Sequence, residues 1–223
     1  MHVEILVEEP SAEAALHHLV PRLMPDVASW EVRPFTGKPA LLKELPTRLR
    51  AYPEWLPHTY GPAWCVVVLV DRDEDDCVVL KSTLERIAAD AGLTSRSVAR
   101  ASGGVEYAPG GVGYDVVNRI VVEELEAWFF GDVSALRAAY PSVSESLGSK
   151  AKYRDPDAIR GGTWEQLEKE LGRAYPAGMP KVEVASRVAP HLNPEANRSR
   201  SFGAFRDALV EINAWAAGVL AGS

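Results

Sequence analysis

Trp64-Cys65-Val66-Val67-Val68-Leu69-Val70-Asp71-Arg72-Asp73-Glu74-Asp75-Asp76 joins a short apolar, mostly β-branched run to a cluster of acids. A continuous apolar run bounded by polar residues is how a strand covered on both faces of a parallel sheet reads. Cys65–Val70 is therefore expected as a central strand with Asp71 and Asp73 at its carboxyl end. Strand side chains at i and i+2 share a face, which would put those two carboxylates in one small volume. Like charges held that close are relieved by a raised pKa or by a bound cation, and a hard oxygen-seeking ion such as magnesium is the simpler relief. Helix capping is the competing explanation, since Asp75 or Asp76 can cap a helix over Cys77–Leu93. Capping needs only one carboxylate, and the run holds several.

Two other segments repeat the pattern of a buried strand ending on acids. His2–Val7 ends on Glu8-Glu9, and Val116–Val122, interrupted by Asn118 and Arg119, is followed by Glu123, Glu124 and Glu126. In an open α/β sheet, ligands bind in the crevice at the carboxyl ends of the parallel strands. Glu8, Asp71, Asp73 and Glu124 or Glu126 converge there if these strands are parallel neighbours. Acids in the first turn of a helix also complement its dipole, so Glu123–Glu126 have a structural explanation too.

Between these strands the apolar positions Ala15, Leu16, Leu19, Val20 and Leu23 predict a helix starting near Ser11, with Pro21 placed to kink it. Trp30–Phe35 reads as a further strand and Ala40–Arg50 as a helix. Tyr52–Pro62, rich in proline and aromatics, is expected to be irregular, and Ser95–Ala101 to be a strand. Gly37-Lys38 lacks the approach of a phosphate loop. The glycine-rich Ser102–Gly113 has two readings, a phosphate cradle or a connecting loop. His17 and His18 have no partner at ligand spacing and read as surface or packing residues.

From Asp132 onward no strand is expected. Asp132–Tyr140, Thr163–Leu171 with a Thr-x-x-Gln capping box, Lys181–Leu192 and Ser201–Leu220 read as helices. The last carries Phe202, Phe205, Leu209, Ile212 and Trp215 on one face, a core stripe. The expected organisation is an α/β domain over 1–131 with a helical extension over 132–223 packed on it.

A length of 223 residues allows a sizeable core, and 47% apolar with 25% charged residues suits an ordinary globular chain. The start of the chain has no signal-peptide pattern and no run has the length of a membrane span, so a cytoplasmic location and no membrane partner are expected. Cys65 and Cys77 form no zinc pattern and read as buried reduced thiols. The net charge of −7 is unevenly spread. Residues 148–206 carry 11 Lys or Arg against 7 Asp or Glu, whereas residues 1–147 carry 13 against 22. An acidic front half with a basic flank is compatible with a site that meets phosphate through bound cations. Lys150, Lys152, Arg198 and Arg200 are the candidates to meet a phosphate backbone.

Leu6-Val7-Glu8 at the first strand–helix turn and Val70-Asp71-Arg72-Asp73 after a later strand resemble the Toprim fold, the metal-binding domain of topoisomerases, primases, small ribonucleases and OLD-type nucleases. Glu124-Leu125-Glu126-Ala127-Trp128 and Arg200-Ser201-Phe202-x-x-Phe205 extend this. With them nearly the whole chain resembles a Toprim-like bacterial family known as a domain of unknown function, number forty-two seventy-six. The resemblance implies that Asp71 and Asp73 bind magnesium or manganese, with Glu8 as general acid/base or further ligand. It also implies a partner ABC-type ATPase, since members are often encoded beside one in antiphage defence loci. One departure is Glu9, which stands where such turns usually have glycine.

The expected activity is metal-dependent phosphodiester hydrolysis of DNA or RNA, with Asp71 and Asp73 holding the cation, Glu8 positioning or deprotonating water, and Glu124 or Glu126 completing a metal site. The rival is a non-catalytic Toprim-like subunit of an ATPase. A phosphorylatable receiver-like domain would also gather carboxylates at strand ends. It calls for a lysine after the last strand, where Arg119 and Glu123 stand.

Overall fold

A computed structural model of the chain describes residues 1–103 and 113–221. Residues 104–112 of the glycine-rich stretch, with its two readings of phosphate cradle or connecting loop, lie outside the described residues. Strands and helices alternate as β1 (His2–Val7), α1 (Pro10–Leu23), β2 (Ser29–Pro34), α2 (Lys38–Tyr60), β3 (Trp64–Asp71), α3 (Cys77–Asp90), α4 (Arg96–Ala101) and β4 (Val116–Val121). A helical region follows, with α5 (Glu126–Gly131), α6 (Val133–Ala139), α7 (Thr163–Leu171), α8 (Lys181–Val188) and α9 (Arg200–Ala221).

The strands form one parallel sheet in the order β2-β1-β3-β4. β3 is central, as its apolar run requires. Its Val67 and Leu69 face one core with α1, α8 and α9, while Val66, Val68 and Val70 face another with α2 and α3. The chain leaves β1 toward β2 and then crosses back to β3, so strand order reverses between β1 and β3. That topological switch point is where open α/β sheets form ligand crevices. Glu8 and Asp71 stand at its rim.

The first core also runs from Val3, Ile5 and Val7 of β1 through Trp128, Phe129 and Phe130 to Phe202, Phe205 and Trp215. The helical region therefore shares its core with the sheet.

Four local expectations are corrected. Cys77, expected to be buried, is exposed, because the first turn of α3 faces outward and the helix buries Leu80, Leu84 and Ala88 instead. Ser95–Ala101 is helical, not extended: Ser95 caps α4 by accepting a hydrogen bond from the Val98 amide at 3.3 Å. The irregular connection expected over Tyr52–Pro62 is helix as far as Tyr60, because α2 continues through Pro46, Pro53 and Pro57. Each proline removes one helix hydrogen bond. The buried stripe Leu41, Leu45, Leu49, Tyr52 and Leu56 offsets that cost by packing on the sheet. Thr163 does not cap α7 itself; Gly162 occupies the cap position without a side chain to donate to, and Glu124 supplies the acceptor from outside the helix.

Candidate functional site

Because β1, β3 and β4 are parallel neighbours, their carboxyl ends share one edge of the sheet. Val7 pairs with Leu69, which brings Glu8 level with the last residues of β3. The Asp71 amide donates to Glu8 Oε1 at 2.9 Å. On the other side, the Arg72 amide donates to the Val121 carbonyl at 2.8 Å and the Asp73 amide to the Glu123 carbonyl at 3.0 Å. The turns after β3 and β4 are thus tied together beyond the strands. Glu126 opens α5 and is buried, as is Glu8.

Electrostatics couples these acids. Desolvation raises the Asp71 carboxyl well above the usual range, and the charges of Glu8, Glu126, Asp73 and Glu124 push it further the same way. Burial raises Glu8 to about 7 despite the opposing pull of Lys38. Burial likewise raises Glu126 to about 7, opposed by Lys181 and reinforced by Glu124. The acids therefore sense one another, and Lys38 and Lys181 flank them.

Lys38 is held at the rim by Gly37, whose φ of 96° is left-handed backbone that favours glycine. The Gly37 amide donates to the Glu8 carbonyl at 2.8 Å, placing the start of α2 against the end of β1. From there Lys38 Nζ reaches Asp73 and Asp75 at 2.8 Å each and the Arg72 carbonyl at 3.0 Å. Lys181 reaches Glu9 at 3.3 Å. Burial disfavours the charge of both lysines, yet the adjacent carboxylates more than compensate and raise both pKa values.

The other candidates are spread more widely. β3 stops at Asp71, and Asp73 adopts a left-handed turn with φ of 50°, so the same-face rule for i and i+2 does not reach it. Asp73 is exposed and paired with Lys38. Glu124 accepts from the Trp164 amide at 2.9 Å and from Thr163 Oγ1 at 3.1 Å, which caps α7. Asp76 caps α3 by accepting from the Val78 and Val79 amides, both at 2.9 Å. An open cleft of about 420 Å³ at this edge carries the carboxylates of Asp73, Glu74, Glu123, Glu124 and Glu165.

Among the described residues, no contact gathers the basic candidates with the acids. Lys150 pairs with Glu170 at 3.3 Å, and Lys152 donates to Gln166. Arg198 donates to the carbonyls of Phe130, Gly148 and Arg154, where it holds loops together. Arg200 pairs with Asp155 at 3.3 Å and stays largely exposed. The cations that do meet the acids, Lys38 and Lys181, were not singled out by the sequence reading. Gly37-Lys38 was the available signal for the first. Lys181 had none, since its neighbour Glu9 is far away in sequence.

A family model described as "Domain of unknown function (DUF4276)" matches residues 7–210. The chain belongs to the DUF4276 family. No curated protein matches it in sequence. Among solved structures, the C-terminal region of the Burkholderia pseudomallei OLD protein aligns over 93% of this chain and 98% of that one, with 18% identity and a TM-score of 0.42.

In this DUF4276 protein the donor chemistry of Glu8, Asp71 and Glu126 fits a hard divalent cation: oxygen only, anionic and mutually repelling. Among the described residues, no three His, Cys, Asp or Glu side chains are grouped as a ready-made metal site. Glu8, Asp71 and Glu126 are instead carboxyls of raised pKa beside two lysines, with Lys38 paired to Asp73 and Asp75 and Lys181 to Glu9. Among the described residues, no helix is long and apolar enough to cross a membrane.

Proposed function

We propose that this DUF4276 protein is a metal-dependent phosphodiester hydrolase acting on nucleic acid, DNA or RNA. The observation that supports the reading is the meeting of Glu8 and Asp71 at the switch point of the sheet, where the Asp71 amide donates to Glu8 Oε1 at 2.9 Å, with burial raising the pKa of both and of Glu126 beyond β4. These residues would hold magnesium or manganese, with Asp73 and Glu124 at the outer rim. When bound, the cation supplies charge neutralisation at the phosphate oxygens.

The chain's own groups have separable tasks. The Asp71 amide fixes Glu8 Oε1, which orients the carboxylate and leaves Oε2 to take a proton from water. A carboxyl poised near neutral pH can accept that proton and later return it. Lys38, held by Asp73 and Asp75, keeps positive charge beside an otherwise acidic edge. The motif resemblance to the Toprim fold supports the same assignment for Glu8 and Asp71.

The test is nicking of plasmid and single-stranded DNA, and cleavage of RNA, with manganese, magnesium or chelator. Cation-dependent cleavage that vanishes in Asp71→Asn supports the reading. Cleavage that survives in the double variant D71A/D73A removes this site from the mechanism.

A second reading is a non-catalytic subunit that pairs with an ABC-type ATPase. It is favoured by the lack of a preformed three-ligand group among the described residues and by the lysine neutralisation of Glu9 and Asp73. Calorimetry showing no divalent-cation binding, together with co-purification of an ATPase, would select it.

A further inference from the structure

A second cleft of about 420 Å³ runs along the outer edge of β4, between the start of α3 and the start of α9. Its character is opposite to that of the acidic cleft. Lys81 comes from α3, Arg119 from β4 and Arg200 from α9, while Ile120, Val122 and Ala204 give it an apolar lining. The acid among its lining residues, Asp157, is committed: it accepts from Ser199 Oγ at 2.7 Å and from the Ser201 amide at 2.9 Å.

Two polar atoms here lack partners. Arg119 Nε is a buried donor with no acceptor, and Asn118 Oδ1 is a buried acceptor with no donor, among the described residues. Asn118 is 2% exposed, so water does not freely repair the deficit. Unsatisfied buried polar groups are costly and call for an explanation. Burial, with Arg96 and Arg100 nearby, lowers the Arg119 guanidinium to about 10. Arg119 as a whole is half-buried, and an anion against the accessible part of its guanidinium would relieve that repulsion.

Val122 lines the basic cleft and Glu123, the next residue, lines the acidic one. The basic cleft has a volume at the low end of small-ligand sites. Its apolar lining suits sugar and base contact.

We infer that the β4-edge cleft is a phosphate-binding groove that takes the backbone of a single-stranded nucleic acid on Arg119, Lys81 and Arg200. This deepens the hydrolase reading and rests on it for the identity of the ligand. Lys81 already donates to the Asn118 carbonyl at 2.8 Å and pairs with Glu85, so it acts from a fixed position. Arg200 is exposed and free to swing from Asp155 onto a phosphate.

Cys77 provides a readout independent of catalysis. It lines the cleft and is exposed, whereas Cys65, the other cysteine of the chain, is fully buried and its thiol is pushed up by that burial. Alkylation of Cys77 by a maleimide is followed in the full-length protein with a single-stranded oligonucleotide, ATP or inorganic phosphate, in chelator. The expected result is salt-sensitive protection by the oligonucleotide at lower concentration than by ATP or phosphate. Arg200→Gln, at an exposed position, is expected to weaken protection roughly tenfold, with Arg119→Gln doing at least as much. Each is expected to reduce the salt dependence by about one phosphate contact.

Asp71→Asn is expected to keep the protection. Protection without any nicking would therefore overturn the hydrolase reading and leave the groove standing. Nicking without protection would overturn the groove. Protection by ATP alone, or protection unchanged in both arginine variants, would also overturn it.

Discussion

The Asp71 backbone amide donates to the Glu8 carboxylate at 2.9 Å, so the end of β3 holds in place the acid that ends β1. The two residues are 63 positions apart and meet only because β1 and β3 are parallel neighbours in register. In Glu8→Gln the amide oxygen can still accept from Asp71, so the backbone tie persists while the negative charge and the proton acceptor are lost. Nicking is expected to fall by about 100- to 10,000-fold, the usual range for a removed general base, with no loss of thermal stability. A gel assay and a thermal melt on the same preparation check this. Full activity in the variant would remove Glu8 from the chemistry.

Glu126 sets a pH dependence of stability. Its folded pKa, about 7, lies above the unfolded value near 4.5 because of burial and the neighbouring Glu124. A carboxyl raised on folding costs stability once pH exceeds the unfolded pKa, and the cost grows until pH passes the folded pKa. In chelator, Glu126→Gln is therefore expected to be more stable than wild type at pH 8, by up to about 3 kcal/mol. The two should melt alike at pH 4. Melting curves from pH 4 to 8 test the sign. A variant that is less stable at pH 8 contradicts it.

Cation binding should close most of that gap. Saturating manganese at about 100 times its dissociation constant stabilises a single-site protein by about 2.7 kcal/mol. Wild type is expected to show a rise in melting temperature with manganese. Asp71→Asn and Glu126→Gln are expected to lose most of it. Equal shifts in wild type and both variants would place the cation elsewhere.

Lys38 is the counterweight to these acids. Its pairs with Asp73 and Asp75 are partly solvated, so Lys38→Met is expected to cost about 1 to 2 kcal/mol, less than a buried pair. The loss should be larger at pH 8 than at pH 5, because Glu8, with a pKa of about 7, is charged at the higher pH and uncharged at the lower. Thermal melts at the two pH values, with nicking measured alongside, check it. An equal loss at both would mean that Lys38 acts only through the Asp73–Asp75 turn.

The strands were legible because continuous apolar runs such as Cys65–Val70 have few alternatives, and their acidic ends followed directly. What could not be read was anything set by distant packing. Pro46, Pro53 and Pro57 argue locally against helix, and only burial of Leu49, Tyr52 and Leu56 against the sheet overrides them. Asp73 looked equivalent to Asp71 until the strand ended one residue after Val70 and the backbone turned left-handed. Glu124 and Glu126 could not be told apart by spacing: one caps α7 across 40 residues, the other is buried beside Lys181's charge. Lys181 meets Glu9 across 172 residues, a contact no local pattern announces.

Trp128 decides whether the helical region is an independent unit. It follows Glu126 in α5, is fully buried, and its ring lies 5.1 Å from those of both Phe202 and Phe205 in α9. Its Nε1 donates to Ser201 Oγ at 3.2 Å, and its carbonyl accepts from Asn197 Nδ2 at 2.8 Å. The two motifs Glu124–Trp128 and Arg200–Phe205 are therefore one packing unit that joins the site to the last helix. Trp128→Ala removes a large ring from a packed interior and is expected to cost about 3 to 5 kcal/mol. Trp128→Phe keeps most of the volume and loses only the hydrogen bond to Ser201 Oγ, which keeps Ser199 and Asp157 as partners, so a smaller loss is expected. If the core is shared, helix content and aromatic fluorescence should unfold together in urea for wild type and Trp128→Phe. A fragment ending at residue 131 should then fail to fold, because the face of the sheet that meets α9 would be bare. Two separated transitions, or a folded fragment, would show instead that residues 132–223 are held to the sheet as a separate domain.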